Sequence, residues 1–241
     1  MTELLYQTDA YLKEFDAKIT AVDVENRAIV LDRSVFYPGG GGQPCDFGVL
    51  TILGVDFPVT KVKKQGDDVL HFLGGEAVLP VVGSSAHGII DWERRYKLMR
   101  THTALHILCG TVFRDYGALV TGGDMEPLAG RMDFEFERMQ AELVHDIEAA
   151  VNVEIANARD LHVKILPREA AFQIPDLIRT KINLLPEGIT QVRTVEIIGL
   201  DLQADGGTHV RNTSEVGRVR VTDYKSKGAI NKRIYLAIEE N

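Results

Sequence analysis

Two histidines four residues apart, His102 and His106, stand inside the apolar-periodic stretch Arg100-Thr-His-Thr-Ala-Leu-His-Ile-Leu-Cys109. Four residues is a little more than one helical turn, so on an α-helix both imidazoles project from one face. About a hundred residues later, Asp205-Gly-Gly-Thr-His209 offers a carboxylate and a third imidazole across a tight turn. Three imidazoles and one carboxylate form a sensible zinc set, because imidazole suits zinc and aspartate oxygen is an accepted ligand. A metal held by such residues can position or ionise a water for hydrolysis, lowering its pKa from about 16 toward about 7. Zinc proteases with a related histidine spacing place their general base, a Glu, directly after the first histidine; here that residue is Thr103, so the protease reading fails. No Ser-His-Asp constellation and no cysteine nucleophile paired with a histidine competes with metal-assisted hydrolysis.

The histidine pair needs a helix to carry it. Asp91 is a good N-cap, with Glu93 in the first turn where the helix dipole favours negative charge, and Gly117 is a stop signal. The apolar stripe Leu98, Leu105, Leu108, Cys109, Val112 and Phe113 has His102 and His106 within or beside it. Inward-facing histidines must be hydrogen-bonded or ligating, because desolvation is costly. Arg94, Arg95, Lys97 and Arg100 make the densest basic run in the chain, read as a solvated helix face or a phosphate contact. A second long helix is expected over residues 138–157, burying Leu143, Ile147, Val151 and Ile155, with Glu142, Asp146, His145 and Glu154 outward. Strands are expected over residues 130–136, 161–166, 192–198, 216–221 and 233–238, with a short helix over 168–174 and His162 on a polar strand face. Basic residues recur at Arg179 and Lys181, and again at Lys225, Lys227, Lys232 and Arg233, where a polyanion could pass.

Before the helix, residues 17–24, 28–33, 49–53, 57–62 and 69–73 read as short strands punctuated by turns, which suggests a small antiparallel barrel. His71 is expected on the barrel wall or surface. Residues 79–88 mix turn formers without a period, placing a solvated His87 in a joint and the domain boundary between residues 88 and 89. Between the strands lies Phe36-Tyr-Pro-Gly-Gly-Gly-Gly-Gln-Pro-Cys-Asp46. Four glycines cost chain entropy and pack nothing, so either a ligand or chain segment approaches the bare backbone there, or the run is a flexible loop. It lacks the Gly-Lys-Ser/Thr ending of a P-loop.

A chain of 241 residues, 45% hydrophobic and 26% charged, is long enough for one large or two modest domains. A formal charge of -8 argues against non-specific coating of nucleic acid but allows a local basic groove. No apolar run reaches membrane-spanning length, and Met1-Thr-Glu-Leu-Leu does not resemble a leader. Two cysteines, Cys45 and Cys109, are too few for a disulfide framework; a cytoplasmic location is the expectation.

Taken together, Phe36-Tyr-Pro-Gly-Gly-Gly-Gly-Gln-Pro, Asp91-Trp-Glu-Arg-Arg, His102-Thr-Ala-Leu-His106, Arg179-Thr-Lys and Gly206-Gly-Thr-His-Val210-Arg-Asn-Thr resemble the AlaX-type alanyl-tRNA editing proteins of medium length. These are freestanding relatives of the editing domain of alanyl-tRNA synthetase. The resemblance implies an α+β protein: a small β-barrel (residues 1–88) and an editing core (residues 89–241) with an antiparallel sheet and two long helices. It implies a deacylase acting on tRNA(Ala) mischarged with serine, or with glycine, and sparing alanine. Zinc would be held by His102, His106 and His209, with the family's cysteine falling at Asp205. Thiolate and carboxylate carry the same charge, so Asp205 is expected as the fourth ligand. Asp205 as a base, Cys109 in its place, and loss of tight metal binding are the alternatives. The glycine-rich stretch is associated with discriminating the amino acid, which nominates Gly40, Gly41, Gly42 and Gln43 for the pocket, with Thr121 as a contact for the serine hydroxyl. Arg94, Arg95, Lys97, Arg179, Lys181, Lys225 and Lys227 are the candidate tRNA contacts. A non-catalytic tRNA-binding module and a hydrolase of small acyl esters are the competing functions.

Overall fold

Alternating burial at period two organises the first part of the chain. A computed structural model describes residues 1–136, 140–180 and 188–240. The chain divides into two compact units, Met1–Tyr96 and Lys97–Asn241. The first opens with β1 (Glu3–Leu4), followed by β2 (Glu14–Asp23), β3 (Ala28–Leu31) and the short β4 (Arg33–Ser34), which pairs in parallel with β1. Then come β5 (Gly48–Ile52), β6 (Val55–Gln65), β7 (Asp68–Leu73) and β8 (Ser85–Ile90). Six of these strands close a barrel in the order β2-β3-β7-β6-β5-β8, every neighbouring pair antiparallel. Phe15, Ala17 and Ile19 of β2 meet Leu50 and Ile52 of β5 and Phe57 and Val59 of β6 in its core.

Two expectations need correction here. Residues 85–88 are not part of a loose joint: they belong to β8, which alternates buried and exposed side chains and closes the barrel between β2 and β5. Its Gly88 lies where a Cβ would collide with the Phe15 ring. His87 faces outward, 2.9 Å from Asp16. For His71, expected on the barrel wall or surface, the surface alternative is the one overturned: it lies on barrel strand β7 and is wholly buried, with its Nε2 2.7 Å from the Ser34 hydroxyl. Burial pushes its pKa down to about 4, so the ring is neutral.

Helix α1 (Trp92–Tyr116) begins in the first unit and continues into the second. Asp91 caps it as the sequence suggests, its Oδ1 accepting the Arg94 N–H at 3.1 Å, and Gly117 ends it in a left-handed conformation. The second unit continues with β9 (Val120–Glu126), β10 (Ala129–Glu135), α2 (Ala141–Ala156), β11 (Leu161–Pro167) and the single-turn α3 (Arg168–Ala171). The remaining strands are β12 (Gln191–Ile197), β13 (Asp201–Ala204), β14 (Val219–Ser226) and β15 (Asn231–Ile238).

These strands form two antiparallel sheets, β14-β15-β10-β9 and β11-β12-β13. The fold is α+β, with a barrel followed by antiparallel sheets and two long helices. Helix α1 lies close on β10, where the missing side chain of Gly130 leaves room for Leu105 and Thr101. Helix α2 covers the edge of β14: Asn152 exchanges hydrogen bonds with the Val219 backbone at 2.8 and 3.0 Å, and Glu148 accepts the Val221 N–H. An edge strand is thereby satisfied by side chains rather than left to pair elsewhere. Glu154 departs from expectation. It is buried, held by Arg114, Arg159 and Asn157, because the turn after α2 folds Arg159 back over it. Among the described residues no helix is long and apolar enough to cross a membrane.

Candidate metal centre

The β12–β13 hairpin and the turn after it lie against α1, and there the two separated motifs meet. Donor atoms of His102, His106, Asp205 and His209 all lie within 4.8 Å of one another, and all three histidines are buried. The His102 and His209 rings stack at 4.2 Å between centroids, while His106 stands edge-on to both, at 5.0 Å from His102 and 4.6 Å from His209. Asp205 Oδ2 lies 3.0 Å from His209 Nε2, and Oδ1 lies 3.5 Å from His102 Nε2.

His209, Asp205 and His106 are held from behind. Thr103, one residue past His102 and wholly buried, places its hydroxyl 3.2 Å from His209 Nδ1 and accepts the Val210 N–H at 3.3 Å. Asp205 Oδ2 accepts the Gly207 N–H at 2.7 Å, closing the turn, and Arg193 donates to the Asp205 carbonyl at 3.0 Å. Asp201 Oδ2 lies 3.3 Å from His106 Nδ1, close enough for an ion pair although off the line of a full hydrogen bond.

Burial sets the protonation of the group, and Asp205 opposes it. Loss of solvent pushes His102 well below the ordinary imidazole value and His209 down to about 4, against the pull of Asp205 on both. Both rings are therefore neutral and able to ligate. Burial works to raise the Asp205 carboxyl, but His102 and the hydrogen bond from His209 outweigh it, and the group is held well below the usual carboxylate range. For His106 burial acts downward and is overcome by Asp201 and Asp205, so its value is raised. Cys109 is buried, and desolvation pushes its thiol up, leaving a protonated sulfur 3.3 Å from the Gln203 amide rather than a thiolate.

The residues fit a tetrahedral cation. Ligands at zinc distances of 2.0–2.2 Å stand roughly 3.4 Å apart, so atoms already within 4.8 Å need only a small contraction. The donor set of three imidazoles and one carboxylate has the chemistry zinc accepts.

The other candidate residues each have their own local setting. Gly39, Gly40, Gly41 and Gly42 all have positive φ, at 84°, 134°, 57° and 89°, which explains the run without reference to a ligand. Gly40 and Gln43 exchange backbone hydrogen bonds around a two-residue turn, the Tyr37 hydroxyl donates to the Gly40 carbonyl, and Gln43 is buried. Thr121, on β9, is exposed and donates to Asn231 Oδ1 at 2.9 Å.

The basic residues of α1 do not form one face, because consecutive helical positions point in different directions. Arg95 is corrected from a tRNA contact to a core residue: its side chain is 0% exposed and clasps Asp46 and the carbonyls of Ala10 and Val35. Arg94 lies over the Phe47 ring, and Lys97 pairs with Glu240 at 2.8 Å. Arg179 turns inward, its guanidinium 3.7 Å from the Phe113 ring and 3.5 Å from Asp201. Lys181 falls outside the described residues. Lys225 and Lys227 are exposed, Lys225 beside Asp223.

Asp201 was not singled out from the sequence. Its signal is the alternation Asp201, Gln203 on β13, which leads into Asp205 of the cluster: residues two apart on a strand share a face.

Known proteins supply the remaining findings. Residues 4–94 match the model of the class II (A) tRNA synthetases, and residues 192–235 match the threonyl and alanyl tRNA synthetase second additional domain. The alanyl-tRNA editing protein AlaX-M of Saccharolobus solfataricus is 38% identical over 243 residues, covering 99% of this chain and 100% of its own length. AlaX-M of Methanosarcina mazei is 36% identical, over 99% of this chain and 97% of its own. The alanine–tRNA ligase of Pyrobaculum aerophilum is 36% identical over 91% of this chain, which corresponds to 25% of the ligase.

Proposed function

The chain belongs to the AlaX-M alanyl-tRNA editing proteins, and on that premise we propose that it clears serine from mischarged tRNA(Ala) in a zinc-holding pocket, with glycine as the second amino acid removed and alanine spared. As a member of that family it is a deacylating hydrolase. In the reaction a water oxygen bonds to the aminoacyl carbonyl carbon, the bond from that carbon to the ribose oxygen breaks, and the ribose oxygen takes up a proton. Ester hydrolysis of this kind needs no ATP.

The observation that carries the reading is the buried convergence of His102, His106, Asp205 and His209. These four would hold zinc, which when bound supplies a Lewis acid beside the ester. The chain's own residues prepare the pocket. Thr103 orients His209, the Gly207 N–H and Arg193 fix Asp205, and burial keeps His102 and His209 neutral. Asp205 takes the place the resemblance gives to a cysteine, and its ionised carboxylate preserves the charge a thiolate would bring. For recognition of the amino acid the proposal keeps Gly40, Gly41, Gly42 and Gln43, with Thr121. For the tRNA phosphates it keeps Arg94, Lys97, Lys225 and Lys227, the last two being the most exposed.

The test is deacylation of purified Ser-, Gly- and Ala-tRNA(Ala), with metal analysis on the same protein. Turnover of the serine and glycine esters but not the alanine ester, by protein carrying zinc, is the expected result. Binding of tRNA(Ala) without release of serine would overturn the substrate assignment.

A further inference from the structure

Beneath the metal-ligating histidines lies a second buried group that the editing chemistry leaves unused. Asp201 opens β13, and its side chain is 0% exposed. Its Oδ2 accepts the Gln203 amide at 2.6 Å and lies 3.3 Å from His106 Nδ1; its Oδ1 lies 3.5 Å from the Arg179 guanidinium. His106 Nδ1 is buried and has no full hydrogen-bond partner among the described residues; the 3.3 Å approach of Asp201 is the contact it has. A ligating imidazole needs its second nitrogen protonated and pointed at an acceptor, otherwise the tautomer and ring angle are free to change.

The approach is built into the helix. Gly110 is one turn beyond His106 on the same face of α1. A Cβ at Gly110 would lie 2.9 Å from Asp201 Cβ and 3.2 Å from the Leu200 carbonyl. Only a residue without a side chain lets β13 come near enough for Asp201 to reach the imidazole.

We infer that Asp201 is the positioning residue of His106: it holds the Nδ1–H tautomer and leaves Nε2 turned to the metal-binding cluster, with Gln203 and Arg179 fixing its carboxylate and Gly110 supplying the gap. This rests on the metal-site reading above. Arg179, which the sequence suggested as a tRNA contact, acts here from inside the fold.

The experiment compares the full chain with Asp201→Asn and Gly110→Ala. Zinc affinity is measured by chelator competition, and the His106 tautomer is read from imidazole ¹⁵N shifts in metal-free protein. Both variants are expected to bind zinc about 10- to 100-fold more weakly, the usual effect of losing the partner behind a ligating histidine. In metal-free Asp201→Asn the Nδ1–H signature of His106 is expected to give way to the Nε2–H form. A folded Asp201→Asn protein with unchanged zinc affinity and unchanged tautomer overturns the inference, as does a lowered melting temperature with affinity intact. Wild-type protein that binds no zinc would defeat the metal-site reading instead, and the tautomer comparison would still decide the role of Asp201.

Discussion

Removing one partner of the Arg95–Asp46 pair should destabilise the first unit more than any single surface change. Both side chains are 0% exposed. Arg95 donates to both Asp46 oxygens, to the Ala10 carbonyl at 3.0 Å and to the Val35 carbonyl at 2.7 Å. Asp46 also accepts the Tyr37 N–H at 2.6 Å, closing the ends of the glycine loop. Asp46→Asn keeps an acceptor for Tyr37 but leaves a buried guanidinium without its anion, which costs about 3–5 kcal/mol. Arg95→Met strands the carboxylate at a similar cost. The double variant removes both charges and leaves mainly the Ala10 and Val35 carbonyls unpaired, at about 1–3 kcal/mol each. It should therefore be less damaging than the two single changes added together. For a unit of this size about 1 kcal/mol moves Tm by 4–8 °C, so each single change should lower the first transition by at least about 12 °C. Calorimetry or thermal circular dichroism of the three variants measures this. A single-variant shift below about 4 °C, or a double variant equal to the sum of the singles, would refute the reasoning.

Other outcomes follow from the same structure. Asp205→Ala should empty the metal site, because the carboxylate is the only anionic donor in the cluster; unchanged zinc content by elemental analysis would remove Asp205 from the ligand set. His71 has a folded pKa of about 4 against an ordinary value of 6.5, so the unfolded chain takes up the proton first as pH falls. Its stability contribution is present above about pH 6.5 and lost toward pH 4, by about 3 kcal/mol in total; His71→Gln should flatten that part of the pH–Tm curve. Lys225→Ala combined with Lys227→Ala should weaken tRNA binding across sequences and reduce the slope of log K against log salt by about 1 to 2. A slope equal to wild type would take these lysines out of the interface.

Signals in the chain are legible where their cause is local. The Asp91 cap and the Gly117 stop need only a few neighbouring residues, and the structure has both. The short strands before residue 74 were visible because half-buried strands alternate. Strand β8 was missed because Pro80, Gly83, Ser84 and Ser85 mark a turn, and only closure of the barrel tells where the turn ends and the strand begins. Arg95 and Glu154 looked like solvated charges for a different reason. Their partners lie 49 and 40 residues away in Asp46 and Arg114, and no helical periodicity reports a distant counter-ion.

Residue types and spacing alone determined that two histidines share a helical face and that a carboxylate and a third histidine flank a glycine turn. Whether those halves meet is a matter of how β13 packs on α1, and the bare backbone at Gly110 leaves room for that approach. The tertiary structure also decided which charges are buried and paired in the core. Burial without water makes an unpaired charge too costly to keep, so Arg95, Arg179, Glu154 and Asp201 each found a partner that chain order conceals.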